Sequence, residues 1–257
     1  MAEDLFDRAL ELVMDGGQTL LANGGEVFRV QQTMEIMAAS LGVQDFHVYV
    51  LTNGIFASAH LPGGESVSLV RHVPTVSVHL GRVEAVNELS RELAAGKLGV
   101  VEAEQKLAAA RALPRVTPRR EVLACIAGSA GFAYLFGGTL ADVPVAAVAG
   151  LFEALVCLHF GRHSINRMFT DIVAAFCCTV WAIAVQAVVP AVSANAAIIG
   201  ALMVLTPGVA LTMGVRDILN GDYLSGSIRL LDALLIAGSI AGGVVLGWIV
   251  ARGLGVA

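Results

Sequence analysis

Apolar positions recur with a helical period at the start of the chain. Leu5, Ala9, Leu12 and Val13 share one face between Leu5 and Leu21, which predicts an amphipathic helix. Asn23-Gly24-Gly25 interrupts it, and glycine suits the left-handed residue that ends a helix. A second helix is predicted with Val27, Val30, Met34, Met37 and Leu41 on one face, and Gly42 closes it. Arg29, Gln32 and Glu35 fall mainly on its other side, so this helix covers something flat. The period then switches to two. Phe46 to Leu51 is rich in β-branched and aromatic residues, and Thr52-Asn53-Gly54 is a hairpin signal. Ile55, Ala57, Ala59 and Leu61 share a face, and Pro62-Gly63-Gly64 marks a second turn. Ser66 to Val70 alternates again, with Val67 and Leu69 inward. These features predict three antiparallel strands. Helical patterns resume over Val83–Leu93 and Val101–Leu113, separated by Gly96 and Gly99.

Beyond Glu121 the apolar runs lengthen. A helix needs about 20 apolar residues to cross a bilayer. Five stretches qualify: residues 122–138, 143–161, 168–189, 194–215 and 230–251. The expected fold class is therefore an α-helical membrane protein of about five transmembrane helices, preceded by a small α+β cytosolic domain. The expected domains are residues 1–115 and 116–257.

Basic residues orient the spans. Arg111, Arg115, Arg119 and Arg120 precede the first, Arg162 and Arg167 follow the second, and Arg216 and Arg229 lie between the fourth and fifth. The connections Thr139–Asp142 and Ala191–Ser193 carry no basic residue. This alternation predicts a cytosolic N-terminus and a C-terminus outside, in a multi-pass inner-membrane protein. The start, Met1-Ala2-Glu3-Asp4, lacks the basic region of a signal peptide.

Composition agrees with the pattern. Of the 257 residues, 56% are hydrophobic and 14% charged, against roughly 25% charged in average soluble domains. A net charge of -5 without a dense Lys/Arg block excludes a nucleic-acid partner. Cys125, Cys157, Cys177 and Cys178 all sit in apolar stretches, without metal-site spacing, and read as small hydrophobes. His47, His60, His72 and His79 lie on or near the predicted sheet, but their spacing matches no ligand motif. No metal, cofactor or catalytic residue is expected.

Ionisable groups inside spans are costly and face a cavity or a partner. Glu153 lies near the middle of the second span, where a proton-carrying or helix-pairing role is expected. Asp171, Asp232 and His159 lie nearer span ends and read as hydrated at the interface. Pro207-Gly208 within the fourth span removes a helix hydrogen bond and permits a break. Broken membrane helices are tolerated beside a cavity or buried protein, and transporters use them to bind substrate. Next come Arg216, Asp217, Asp222, Ser225 and Arg229, in what reads as a short Gly-rich connection. Arg216 or Arg229 is expected to receive a substrate carboxylate and Asp217 or Asp222 to hold that Arg, unless the pairs merely fix the loop. Gly238/Gly242 and Gly243/Gly247 form two small-residue pairs on the fifth span, read as helix-packing points.

Two segments carry a resemblance. One runs Leu20-Leu21-Ala22-Asn23-Gly24-Gly25-Glu26-Val27-Phe28-Arg29-Val30, followed by Thr33-Met34 and Leu41-Gly42-Val43. The other comprises Pro207-Gly208, Arg216-Asp217, Gly221-Asp222, Ser225-Gly226 and Arg229, with Asn87-Glu88-Leu89-Ser90-Arg91 between the two segments. In this order they resemble the threonine/serine exporter family of bacterial inner-membrane proteins. The resemblance implies proton-dependent export of small polar metabolites: threonine, serine, or dicarboxylates such as succinate. Full-length members carry further spans after this region, so the chain resembles the split form, completed by a second small membrane subunit and associated with dicarboxylate export. The expected partners are that subunit or a homo-oligomer, membrane lipid and a small-molecule metabolite. A membrane-tethered enzyme and a structural or regulatory transporter subunit are the alternative functions.

Overall fold

The computed structural model describes residues 2–61, 64–73, 78–163 and 165–255. Pro62 and Gly63 of the second expected turn, and the terminal Ala257, lie outside them. By their contacts the residues form two compact units: Met1–Arg115 with Thr212–Arg229, and Val116–Leu211 with Leu230–Ala257.

The first unit begins with helices α1 (Ala2–Ala22) and α2 (Val27–Ser40). Strands β1 (His47–Leu51), β2 (Gly54–His60) and β3 (Ser66–His72) follow, then α3 (Leu80–Ala94) and α4 (Val100–Ala112). The strands form an antiparallel sheet in the order β1-β2-β3. Leu51 pairs with Gly54, so Thr52 and Asn53 form the first turn where the Asn-Gly signal places it. Ile55, Ala57 and Ala59 are buried along β2, as the alternation requires, while Phe56 between them is exposed. The α2 face Val27, Val30, Met34 and Met37 is buried in the same core, together with Met14, Ile55 and Leu89. Each such side chain contributes about 1.5–3 kcal/mol on leaving water. Ala9, Leu12 and Val13 of α1 join this core; Leu5, expected on the same face, is exposed. It lies in the first turn of α1, beyond the reach of the core.

The end of α1 explains the Asn23-Gly24-Gly25 interruption. Gly24 adopts φ +94°. Its N–H donates to the Leu21 carbonyl at 3.3 Å, and that of Gly25 donates to Leu20 at 2.8 Å. This is a Schellman ending, and its left-handed residue excludes most side chains. It turns the chain directly into α2, with Glu26 at the N-cap.

The second unit is built from α5 (Pro118–Leu135), α6 (Asp142–Arg162), α7 (Arg167–Val188) and α8 (Ala194–Leu202), with parts of α9 (Gly208–Leu219) and α10 (Tyr223–Gly253). Among the described residues three helices are long and apolar enough to cross a membrane: α6, α7 and α10. The first expected span becomes the 18-residue α5, with Arg119, Arg120 and Glu121 in its opening turn. The fourth is not one helix. It stops at Leu202 and restarts at Gly208, with residues 203–207 outside any helix. Pro207 precedes the restart, where its missing N–H costs no helix bond. The fifth starts earlier than its apolar run, at Tyr223, so most of the expected Gly-rich connection is helical. Only Asn220, Gly221 and Asp222 separate α9 from α10.

Small residues set the close approaches of this unit. A Cβ at Gly200 would lie 2.5 Å from that of Ala133, where α8 meets α5. One at Gly247 would lie 2.8 Å from the Thr179 side chain, and Gly243 packs against Ile172 and Ala175, so this pair joins α10 to α7. Gly238 and Gly242, by contrast, face open space. Asp142 ties the two connections that carry no basic residue. Fully buried, it accepts from the Thr139 N–H and hydroxyl at 2.6 and 2.9 Å and from the Ser193 N–H at 2.6 Å.

Candidate functional site

The residues expected to carry transport fall into two groups. The first lies on the helical hairpin of α9 and α10. Gly221 has φ +90°, and the Gly221 and Asp222 N–H groups donate to Ile218 and Asp217 at 3.0 and 2.9 Å. This repeats the Asn-Gly Schellman ending of α1 and folds α10 back against α9. Gly226 permits the contact: a Cβ there would lie 2.5 Å from Ile218 Cγ1 and 2.7 Å from the Gly214 carbonyl oxygen. The two helices thus meet nearly backbone to backbone.

This hairpin brings Asp217 to Arg229. Asp217 is buried, and its Oδ2 lies 3.1 Å from Arg229 Nε. The contact is one of charge; its angle is not that of a hydrogen bond, and both atoms lack such a partner. Arg229 Nη1 instead donates to Met213 Sδ at 3.3 Å. Burial pushes the Asp217 carboxyl up from its usual range, opposed by Arg229 and reinforced by Asp222 and Glu26. Ser225, in the first turns of α10, is buried with its hydroxyl unpartnered. Asp222 is half-buried in the turn.

Arg216 points elsewhere. Its Nη1 lies 2.5 Å from Glu26 Oε1, the N-cap residue of α2. The two segments that carry the family resemblance, 190 residues apart at this contact, therefore meet as an ion pair. The Arg216 side chain is 58% exposed and that of Glu26 is 23% exposed. Glu26 is a partner of Arg216 that the sequence reading does not single out. Its neighbours Asn23-Gly24-Gly25 are its signal, since a fixed turn is required wherever a side chain must be aimed.

The second group lies in the second unit. Glu153 on α6 is 1% exposed, and its Oε2 has no hydrogen-bond partner. Asp171 on α7 was expected at a hydrated interface, but it is buried. Its Oδ2 likewise lacks a hydrogen bond, with Arg167 Nε 3.8 Å away. The α7 backbone enters the bundle within one turn of Arg167, which carries Asp171 inward. Asp232 and His159 are exposed. Buried Cys178 donates its thiol to the Ala149 carbonyl at 3.3 Å, one helical turn from Glu153. Pro207 and Gly208 mark the restart of α9 and carry no charged group themselves.

The four sheet-region histidines do not converge. His79 caps α3 by accepting from the Arg82 N–H. His60 contacts the Ser66 hydroxyl and lies 3.7 Å from Asp45. His47 and His72 sit on β1 and β3, on opposite sides of β2. Among the described residues no three His, Cys, Asp or Glu side chains are placed to hold a metal ion.

Comparison with known proteins bears on the family. A curated relative from Mycobacterium tuberculosis (strain ATCC 25618 / H37Rv), named "Probable threonine/serine exporter", is 26% identical over 248 residues. The alignment covers 95% of this chain and 46% of the relative, so the chain spans about half the relative's length. No solved structure matches. The threonine/serine exporter profile matches residues 11–251, which include both motif segments, helices α5 to α9 and all but the end of α10. The chain belongs to the threonine/serine exporter family of membrane transport proteins.

Proposed function

We propose that this chain is a subunit of an inner-membrane exporter of small carboxylate-bearing metabolites, amino acids such as threonine and serine or dicarboxylates such as succinate, driven by the proton gradient. One observation carries the reading: an exposed guanidinium, Arg216, stands on α9 just beyond a break in the preceding membrane stretch. A planar, permanently charged fork there suits bidentate capture of a carboxylate from the cytosol. Arg229, held by Asp217, supplies a second positive charge across the hairpin. Glu153 is the proton carrier in this scheme, because a buried, incompletely bonded carboxyl inside a span has no ordinary structural use.

In this reading the bundle crosses the membrane five times. α5, α6, α7 and α10 each cross once, and α8 with α9 as far as Val215 forms the broken fourth crossing. The N-terminus and the Arg-bearing connections face the cytosol and the C-terminus faces outward. A second membrane subunit or a further copy of the chain completes the transport path, since five spans make a thin scaffold for alternating access. The cytosolic domain has no catalytic role in this scheme.

Substituting Arg216→Lys tests it. The change keeps the charge and loses the fork. In proteoliposomes the correctly inserted variant is expected to export with a KM raised about tenfold or more, by the loss of a charged hydrogen bond. Unchanged KM and rate would leave Arg216 as a topology anchor only.

A further inference from the structure

We infer that Glu26 is a specificity-determining residue of the exporter, reading an ammonium group while Arg216 reads a carboxylate, so that the pair selects zwitterions over dianions. The inference rests on the proposed role of Arg216 and adds the opposite pole of the same site.

The geometry supplies the argument. Glu26 occupies the N-cap of α2, yet its side chain makes no capping bond. Its carboxylate is therefore not used to hold the helix. A capping role is the usual reason for a polar residue there, and shorter side chains serve it better. Instead the carboxylate points outward to Arg216 Nη1 at 2.5 Å. The backbone beneath it is held by the Schellman ending at Gly24 and Gly25, which fixes where the Glu26 side chain leaves the chain. Gly25 has little freedom to change: a Cβ there would lie 2.9 Å from both the Leu20 carbonyl oxygen and Val30 Cγ2. On the other side Arg216 is carried by α9, whose end is fixed by the turn at Gly221.

The result is one positive and one negative group, held on separate elements and closed on each other, with no third charge in hydrogen-bond contact with either among the described residues. An exposed pair of this kind contributes little stability, because both ions regain water when parted. A ligand that offers both charges replaces the pair contact for contact. An α-amino acid does so, its carboxylate to Arg216 and its ammonium to Glu26. A dicarboxylate satisfies Arg216 and is repelled by Glu26. Asp217, buried and already facing Arg229, is not placed to substitute for Glu26 as the ammonium acceptor.

The experiment compares wild type and Glu26→Gln, each as the full chain reconstituted in proteoliposomes with any membrane subunit that copurifies. Export of threonine is measured with competition by N-acetylthreonine, which keeps the carboxylate and lacks the ammonium. Succinate export is measured in parallel. In wild type, threonine is expected to outcompete N-acetylthreonine by about tenfold or more, the scale of one charged hydrogen bond. In Glu26→Gln that preference is expected to vanish through a raised threonine KM, with succinate export unchanged or increased. Because the Glu26 side chain caps nothing, the variant is expected to melt with wild type, which excludes misfolding. Equal loss for all substrates, or no change for any, overturns the inference and makes the pair a latch or a bystander. Wild-type export of succinate alone overturns the inference and leaves the exporter reading standing. Absence of any export overturns both.

Discussion

The closest helix contact in the hairpin gives a prediction with a sign that can be checked. Replacing Gly226 by Ala adds one methyl group to α10. Alone, Gly→Ala in a helix interior stabilises by about 1 kcal/mol. Here the new Cβ meets Ile218 Cγ1 at 2.5 Å, the Gly214 carbonyl oxygen at 2.7 Å and the Ile218 nitrogen at 2.9 Å. Two of the three are backbone atoms of α9, so no rotamer change relieves the overlap. The helices must separate, which places the cost near the upper end of the overpacking range, about 3 kcal/mol. The net expectation is a loss of about 2 kcal/mol. Gly238→Ala, further along the same helix, is the control, because its added Cβ meets nothing within 4 Å. It is expected to stabilise by up to about 1 kcal/mol. Thermal unfolding of the purified protein reads the difference. For a chain of this size the Gly226 variant should melt roughly 4–8 °C below wild type, and the Gly238 variant at or above it. Separation of the helices also parts Asp217 from Arg229, so export should fall in the first variant and persist in the second. If Gly226→Ala melts with wild type, the hairpin is not packed through this glycine and the Asp217–Arg229 contact is not held by it.

Four further outcomes are expected. Glu153→Gln should abolish efflux driven by an imposed pH gradient while leaving substrate exchange at equal pH, measured in the same vesicles; loss of both would make Glu153 a packing residue. Asp142→Asn keeps one acceptor oxygen and turns an NH2 toward a donor, so it should destabilise by about 1–3 kcal/mol, read by thermal unfolding. The Asp217 carboxyl is raised from 3.8 by burial, so its contribution to stability is full below that value and is lost as pH rises through its folded value; relative to wild type, Asp217→Asn should therefore gain stability as pH rises across that window. A reporter active only outside the cytosol should be active when fused after Ala257 and silent when fused at Arg162, and the reverse would overturn the orientation.

Local pattern made much of the fold legible, for a reason that differs between the two units. In residues 1–115 each element buries one face in a single core and leaves the other exposed, so burial writes itself into the sequence as period. Val27, Val30, Met34 and Met37 read as one helical face and are one face. Ile55, Ala57 and Ala59 read as one strand face and are buried together. Among the membrane helices, lipid-facing and helix-facing residues are both apolar, and period loses its meaning. Gly238/Gly242 and Gly243/Gly247 are alike in sequence, yet only the second pair packs against α7. The start of α10 was likewise hidden, because its first turns, Tyr223 to Arg229, are polar helix ahead of the apolar run. The break at Pro207 was legible, since proline acts on its own backbone whatever surrounds it.

The site divides along the same line. Arg216, Asp217 and Arg229 were visible because charge at the end of an apolar run demands an explanation. Their partners were not equally visible. Asp217 and Arg229 lie on successive helices, and a hairpin at Asn220-Gly221 brings them together. Glu26 lies 190 residues from Arg216, and nothing local announces the pair. What the sequence does hold is the same device twice: Asn23-Gly24 and Asn220-Gly221 each end a helix in the left-handed conformation, and each is followed within two residues by an acidic side chain. Such a turn fixes direction at the cost of admitting few residues at the glycine. A chain that needs only a flexible connection has no use for that restriction. Two rigid endings, one bearing Glu26 and the other closing the helix that bears Arg216, are what a site requires when opposite charges must be held in place while a ligand comes between them.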